Sequence, residues 1–159
     1  MKIIIVGGVA GGASTSTRLR RMNEKAEIII LERGEYISFA NCGLPYHIGN
    51  VISEREKLLV VTPQILKDTF NIDARVRHEA VCIDRKKKTV KIRDLSSGRE
   101  YTEEYDKLVL SPGASPLIPP IKGTNLPGVF SLRSIPDMDK IRDFISEREP
   151  KSAVVVGGG

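Results

Sequence analysis

The residue best placed for chemistry in this sequence is a single cysteine. Cys42 lies between Asn41 and Gly43 in the stretch Ser38–His47. A redox pair of cysteines would place its second thiol after four intervening residues, and that position is His47. The run that follows Cys42 has helical character, and the N-terminus of a helix favours the nucleophilic thiolate. The pattern predicts redox chemistry at one sulfur, with the partner sulfur supplied from outside the protein. The alternative is a buried structural cysteine.

Upstream of this cysteine the sequence predicts a β–α–β unit. The apolar, β-branched run Lys2–Val6 is typical of a buried parallel strand. The glycine-rich segment Gly7–Gly12 comes next, followed by the helical run Ala13–Asn23 and a second buried strand, Ala26–Leu31. Glycines at such a turn let the backbone approach a pyrophosphate, which then lies at the N-terminus of the helix.

The glycine turn matches two of the three glycines of a dinucleotide fingerprint. Gly7 and Gly12 occupy the first and third positions of Gly-x-Gly-x-x-Gly, and Val9 occupies the second. Glu32 lies twenty residues beyond Gly12, where a carboxylate would accept hydrogen bonds from a ribose. Together these residues favour dinucleotide binding over the alternative, a simple tight turn.

The remainder of the chain alternates between helical and extended patterns. A proline-rich stretch, 116–127, has the composition of a linker. Other predicted elements are a helix at Pro63–Phe70 with Thr62 as N-cap, antiparallel strands at Ala80–Asp84, Thr89–Asp94 and Glu100–Tyr105, a buried strand at Lys107–Leu110, a helix at Pro136–Arg148 and a buried strand at Ser152–Val156. The last strand leads into Gly157–Gly159, which predicts the opening of a second dinucleotide-binding domain and an N-terminal fragment of a longer protein.

Several other polar residues have a functional and a structural interpretation. Arg18 and Arg21 share one face of the first predicted helix, where they either hold ligand phosphates or form a solvated basic surface. His47 either influences the thiol or packs in the core, and Cys82 is predicted to be a core thiol. No His, Cys and carboxylate cluster has the spacing of metal ligands, so no metal site is predicted.

Composition excludes some classes of protein. The 159 residues are 40% hydrophobic and 28% charged, as in ordinary globular domains, and carry no apolar run of membrane-spanning length. The net charge of +5 favours anionic partners, and the scarcity of aromatic residues favours phosphorylated cofactors over nucleic acid. Two cysteines do not make a disulfide framework, so a cytoplasmic location is expected.

These motifs resemble the pyridine nucleotide–disulfide oxidoreductase family, and within it the branch with a single redox cysteine. The resemblance spans nearly the whole chain and is most specific at Ser38–Tyr46. Supporting stretches are Val6–Ala13, Leu31–Arg33, Tyr105–Ala114 and Leu132–Asp137. It implies an α/β fold: a Rossmann-like, three-layer FAD-binding domain with an antiparallel β-meander. It also implies FAD at the first dinucleotide site and NAD(P)H as co-substrate at a second.

The resemblance also assigns roles to individual residues. The FAD-binding residues it implies are Gly7, Gly8, Val9, Ala10, Gly11, Gly12, Glu32, Arg33, Val81, Ser111, Gly113 and Arg133, with Val81 meeting the adenine through its backbone. The residues it implies for coenzyme A are Ser14, Arg18, Arg21, Ser38 and Asn41. Cys42 is implied as the redox cysteine, which cycles between a thiolate and a mixed disulfide or sulfenate.

The function implied is NAD(P)H-linked reduction of coenzyme A disulfide, or of a related persulfide or disulfide, through Cys42. The alternatives are an NADH oxidase that reduces oxygen or peroxide through a sulfenate, and an FAD-binding module without turnover of its own. The domains expected are the first part of an FAD-binding domain at 1–115, a connecting segment at 116–150 and the start of an NAD(P)-binding domain at 151–159. Family members of this type are expected to form homodimers.

Overall fold

A computed structural model describes residues 1–157 of the chain. The strands are β1 (Lys2–Val6), β2 (Glu27–Glu32), β3 (Asp73–Val76), β4 (His78–Asp84), β5 (Thr89–Asp94), β6 (Glu100–Glu104) and β7 (Lys107–Leu110). The helices are α1 (Gly11–Met22), α2 (Leu44–Ile48), α3 (Pro63–Phe70) and α4 (Ile135–Arg148). The chain divides into two units: the first contains Met1–Ala40 and Glu56–Ala114, and the second contains Asn41–Arg55 and Ser115–Gly159.

The first unit has three layers around a parallel sheet. The sheet has the order β3-β2-β1-β7, and β4, β5 and β6 form a separate antiparallel sheet. Alternate residues of β1 and β2 face opposite layers, as the pleat of a strand requires. Ile3, Ile5 and Ile30 pack with side chains of α1 and α3. Ile4 and Ile29 pack with the antiparallel sheet. This is the predicted three-layer α/β fold with its β-meander.

Local sequence signals account for the best-predicted elements. Helix α3 has the predicted bounds because the Thr62 side chain accepts a hydrogen bond from the Ile65 N–H and Pro63 begins the first turn. Helix α4 begins after Ser134, which forms a capping box with Asp137. Strand β5 pairs with β4 and β6 in the predicted antiparallel arrangement.

Strand β3 was not predicted as a member of the parallel sheet. It pairs with β2 and lies at an edge of the sheet. Its charged side chains take part in a network with the meander. Arg75 donates hydrogen bonds to Asp73 (2.9 Å), Tyr101 (3.0 Å) and Glu103 (2.7 Å), and Lys2 of β1 also donates to Glu103.

We expect Glu103→Gln to destabilise the chain by about 2 kcal/mol, because it removes the charge shared by Lys2 and Arg75. Burial acts to raise the pKa of Glu103, but hydrogen bonds from Lys2 and Arg75 outweigh it and bring the pKa below its ordinary value of 4.5. The ionised carboxylate therefore contributes stability at pH above about 4.5, and this contribution is lost as the pH falls through the lowered pKa.

Urea unfolding at several pH values between 7 and 3 measures this effect (about the range over which carboxyls titrate). The variant should lose less stability than the parent as the pH falls. Glu100→Gln is the matched control, since Glu100 begins the same strand and pairs with Lys91 and Arg93 at the exposed surface. If both variants behave alike, the network between the layers contributes nothing beyond a surface ion pair.

The second unit contains the short helix α2, the longer helix α4 and an irregular proline-rich segment. A 3₁₀ turn, Asn41–Gly43, runs directly into α2. Residues 115–134 form neither helix nor strand, as their composition predicts. Within residues 1–157, none of the helices combines the length and the apolar composition that a membrane crossing requires.

Three sequence predictions are wrong. Ser152–Val156 is not a strand: Val154, Val155 and Val156 are exposed, and no other strand in the described part of the chain pairs with them. Strand β7 is only partly buried, because it lies at the edge of the sheet, and Leu110 is 58% exposed. The third error is Cys82, which is exposed.

The Cys82 error has a local cause. Strand β4 pairs Ala80 with Ile92 and Cys82 with Lys91, so the register skips Val81. Such a bulge adds one residue to the strand and exchanges the two faces beyond it. A pattern read with a period of two therefore assigns Cys82 to the wrong face.

The predicted second glycine turn is described only at its first residue. Gly157 has the same left-handed backbone as Gly7, with φ +91° at both residues. Gly158 and Gly159 lie outside the described residues.

Candidate functional site: a glycine turn and an exposed thiol

The glycine turn lies where the order of strands reverses in the parallel sheet. The chain goes from β1 to β2 on one side, while β7 lies on the other side of β1. Ligands of open α/β sheets bind at such a switch point, at the carboxyl ends of the strands. Gly7 directly follows β1 there with φ +91°, and a Cβ on it would lie 2.0 Å from the carbonyl oxygen of Ser111, which directly follows β7. Only glycine allows this approach.

The N-terminus of α1 is close against the turn and has no side-chain cap. A Cβ on Gly12 would lie 1.7 Å from the Gly7 carbonyl oxygen, so the helix can begin here only with glycine. Ala10 is the N-cap and makes no side-chain hydrogen bond, and the first turn carries no acidic residue. The first amides of a twelve-residue helix therefore remain available to an anion such as a pyrophosphate.

We expect Gly12→Ala to destabilise the chain by about 3 kcal/mol, because the added methyl group meets backbone that cannot move aside. Gly11→Ala is the matched control. A Cβ at Gly11 meets only the Ser111 side chain, at 3.1 and 3.5 Å, and alanine is the better helix former. Thermal unfolding of the two variants compares them directly. Similar melting temperatures would show that helix α1 does not need its close approach to the turn.

Glu32 is held beside the glycine turn by backbone amides. Its Oε2 accepts from the Gly8 N–H (2.8 Å) and its Oε1 accepts from the Gly34 N–H (2.7 Å). Each carboxylate oxygen has a second lone pair. The side chain is thus fixed in position and still able to accept hydrogen bonds from the two hydroxyls of a ribose. Sequence reasoning missed Gly34, whose role depends on the three-dimensional turn.

Ser38 is also brought to the glycine turn. Its N–H donates to the Gly8 carbonyl oxygen (3.3 Å), and its own carbonyl accepts from the Val60 and Val61 amides. Its φ of +43° is left-handed, which costs energy for a residue other than glycine. Contacts on both sides of the backbone hold the serine in this conformation. In the same unit Ser111 bonds to the end of β1, with its N–H 2.7 Å from the Val6 carbonyl oxygen.

The other residues assigned to FAD occupy three different places. Val81 is the unpaired residue of the bulge in β4, so its backbone is not matched to a partner in β5. Gly113, with φ +71°, follows β7 in the first unit, and Arg33 is exposed directly after β2. Arg133 belongs to the second unit, where its N–H donates to Asp137 at the start of α4.

Three polar residues assigned to coenzyme A share an exposed face of α1. Ser14, Arg18 and Arg21 are spaced by four and three residues, so they project from one side of the helix. Within residues 1–157 neither guanidinium has a hydrogen-bond or ion-pair partner. Arg20 contrasts with them, since it donates to the carbonyl oxygens of Phe70 (2.8 Å) and Asn71 (2.9 Å) and so joins α1 to the end of α3.

Cys42 lies in the second unit as an exposed free thiol in the 3₁₀ turn before α2. Asn41, in the same turn, is half-buried. His47 is 4% exposed, and its Nδ1 is 2.6 Å from the Ile52 carbonyl oxygen. Because a carbonyl oxygen only accepts, Nδ1 carries a proton. His47 is therefore a packing residue that closes the loop after α2.

The residues of the glycine turn suit an FAD pyrophosphate and ribose. The turn has the close backbone approach, the uncapped helix N-terminus and the fixed carboxylate that a dinucleotide requires. No group of three or more His, Cys, Asp or Glu residues within residues 1–157 is arranged to hold a metal. Together these features define a dinucleotide-binding domain of the Rossmann type.

The comparisons with known proteins identify the family. The whole chain, residues 1–159, matches the family described as pyridine nucleotide-disulphide oxidoreductase. The chain therefore belongs to this family of oxidoreductases, which uses FAD with NAD(P)H. The predicted family and the predicted fold are confirmed.

The names of individual relatives are more specific than the description of the family. A coenzyme A disulfide reductase of Staphylococcus haemolyticus is 41% identical over 163 residues, which covers 99% of this chain and 35% of that protein. The crystal structure of reduced CoADR-RHD from Bacillus anthracis is 52% identical with a TM-score of 0.88, covering 94% of this chain and 27% of that one. An NAD-dependent persulfide reductase from A. fulgidus is 37% identical, also with a TM-score of 0.88, covering 93% and 28%. The chain thus spans about 35% of the length of the curated relatives it matches.

Proposed function

We propose that the whole protein reduces coenzyme A disulfide, or a related disulfide or persulfide, with electrons from NAD(P)H. The observation that carries the proposal is the exposed free thiol of Cys42 in a chain of this family. The name of the Staphylococcus haemolyticus relative supports the substrate class. The name of the A. fulgidus relative supports persulfides as members of the same substrate class.

In the proposed reaction, Cys42 forms and breaks the covalent bonds to the substrate. Its thiolate attacks one sulfur of the disulfide, the substrate S–S bond breaks, and one thiolate leaves. A mixed disulfide between Cys42 and the other half of the substrate remains. Two electrons and a proton then release that half as a thiol and restore the Cys42 thiolate. Those two electrons come from the hydride of NAD(P)H, and FAD held by the glycine turn and Glu32 would supply the two-electron chemistry that links the two reactions.

The other residues bind and orient the two ligands. The uncapped amides of α1 and the close turn at Gly7 hold the FAD pyrophosphate, and Glu32 accepts hydrogen bonds from the ribose. Arg18 and Arg21 hold the phosphates of the thiol substrate. Support for this last role comes from their exposure and from their lack of other partners within residues 1–157.

Assays of the purified whole protein test the proposal through its flavin content, its NAD(P)H consumption and its choice of electron acceptor. We expect a flavin absorbance band, and consumption of one NAD(P)H for each coenzyme A disulfide in the absence of oxygen, with free thiol as the product. Oxidation of NAD(P)H by oxygen but not by any disulfide or persulfide would instead support an NADH oxidase. If the protein binds flavin but neither oxygen nor any disulfide or persulfide oxidises NAD(P)H in its presence, the result would support a binding module and overturn the proposal.

A further inference from the structure

The thiol lies on a piece of secondary structure too short to be stable by itself. Helix α2 has five residues and continues directly from the 3₁₀ turn that carries Cys42. A helix of this length does not form in water without tertiary contacts. Its position, and with it the position of the Cys42 turn, depends on the side chains that contact it from elsewhere in the second unit.

Two charged residues of α4 contact α2 or the segment that follows it: Arg142 contacts α2 itself, and Asp139 contacts Arg55 further along the chain. Arg142 donates hydrogen bonds to the His47 carbonyl oxygen and to Asn50 Oδ1, the latter at 3.1 Å. The His47 carbonyl belongs to the last turn of α2, where carbonyl oxygens lack partners within the helix. The cation therefore satisfies this end and complements its partial negative charge. Asn50 lies in the turn after α2 with a left-handed backbone, φ +56°. Its hydrogen bond from Arg142 therefore joins this turn to α4.

The second contact closes the same segment further along the chain. Arg55 donates to Asp139 through two parallel hydrogen bonds, Nε–Oδ1 at 2.9 Å and Nη2–Oδ2 at 2.7 Å. This bidentate geometry is the strongest that an arginine and a carboxylate can form. The hydrogen bonds from Arg55 hold the pKa of Asp139 below its ordinary value. Asp139 and Arg142 are three residues apart on α4, so one helix face holds residues 47–55 at two points.

We propose that Arg142 and Asp139 are positioning residues for the Cys42 thiol, and that α4 sets where the thiol lies by holding the segment that follows it. This inference rests on the proposed redox role of Cys42. It assigns a function to a face of α4 that contains none of the residues predicted to bind a ligand. Since the rate of a group transfer falls steeply when the reacting atom is misplaced by about 1 Å, loss of either contact should lower the rate of reduction.

The test compares Arg142→Met, Arg142→Lys, Asp139→Asn and the control Lys140→Met in the whole protein. Lys140 is an exposed lysine on the same helix. In Arg142→Met we expect kcat for disulfide reduction to fall about tenfold, with KM changed less than about twofold, because the thiol and not the substrate is displaced. Arg142→Lys should recover part of the loss, since lysine keeps the charge and reaches one acceptor. Lys140→Met should match the parent.

Hydrogen exchange supplies a readout that does not depend on activity. The amides of Gly49, Asn50, Val51 and Ile52 donate to carbonyls of α2, and we expect their exchange to rise about tenfold in Arg142→Met, whereas β1 and β2 stay protected. If protection of β1 and β2 is also lost, Arg142→Met has destabilised the whole chain. The milder variant Asp139→Asn is then judged by the same changes in kcat, KM and amide exchange. Unchanged exchange with unchanged kcat, or a rise in KM alone, would overturn the inference.

Failure of this inference and failure of the proposed function give different results. Full activity in Cys42→Ser would refute the proposed function whatever the α4 variants do. An inactive Cys42→Ser together with a fully active Arg142→Met would refute only the positioning role.

Discussion

Cys42→Ser is expected to lower kcat for disulfide reduction by at least about a thousandfold, because a serine hydroxyl cannot replace a thiolate as nucleophile or form a disulfide. The flavin spectrum should be retained, since the residues that suit FAD lie in the glycine turn and at Glu32. Steady-state turnover and the absorption spectrum of the same preparation measure both effects.

Cys82→Ser is the matched control for this prediction. Cys82 is the other cysteine of the chain, and it is also an exposed free thiol, on strand β4 of the first unit. Its replacement should leave turnover unchanged. Undiminished reductase activity in Cys42→Ser, or an equal loss in both variants, would contradict the assignment of the chemistry to Cys42.

Reversal of charge at Arg18 and Arg21 should reduce kcat/KM for coenzyme A disulfide about 30-fold relative to a small uncharged disulfide. A charge-assisted hydrogen bond to a phosphate contributes only when the substrate carries phosphates. Both arginines are exposed on α1, so Arg18→Glu with Arg21→Glu should leave the fold intact. The ratio of kcat/KM for the two disulfides is the quantity to measure.

The control for charge reversal is Lys86→Glu with Lys87→Glu. These lysines lie in the exposed turn between β4 and β5, and the double variant makes the same change in net charge. If it alters the ratio of kcat/KM as much as the arginine variant does, the effect comes from the overall field of the protein and not from a phosphate site. An unchanged ratio in the arginine variant would show that Arg18 and Arg21 form a solvated basic surface and do not bind the phosphates of the substrate.

Elements with strong local signals could be predicted from the sequence. Helix α3 needed only Thr62 and Pro63, whose cap and first-turn preferences act within a few residues. The strand–glycine–helix unit was recognisable because only glycine tolerates the contacts at Gly7 and Gly12. Predictions from the sequence were wrong where distant parts of the chain decide whether a segment pairs as a strand and which face of the strand a residue occupies. The apolar run Val154–Val156 has no neighbouring strand among the described residues, and the bulge at Val81 reverses the face of Cys82.

The same contrast between local and long-range determinants holds for the two candidate sites, the glycine turn and the Cys42 turn. Residue types indicated Cys42 and Glu32, but the amides that fix Glu32 depend on the folded turn. The contacts of α4 join residues that are 84 and 95 positions apart in the chain. No local pattern predicts such pairs, since Asp139 and Arg142 read as ordinary charged residues of an amphipathic helix.

Trapping the mixed disulfide of Cys42 tests most directly whether this thiol exchanges disulfides with the substrate. The whole protein, reduced and then freed of reductant, is incubated with coenzyme A disulfide in the absence of NAD(P)H, and its peptides are analysed by mass spectrometry. We predict a coenzyme A adduct on the peptide that contains Cys42, reversed by NAD(P)H, with little or none on Cys82. An unmodified Cys42, or equal modification of both exposed cysteines that NAD(P)H does not reverse, would contradict the redox role of Cys42.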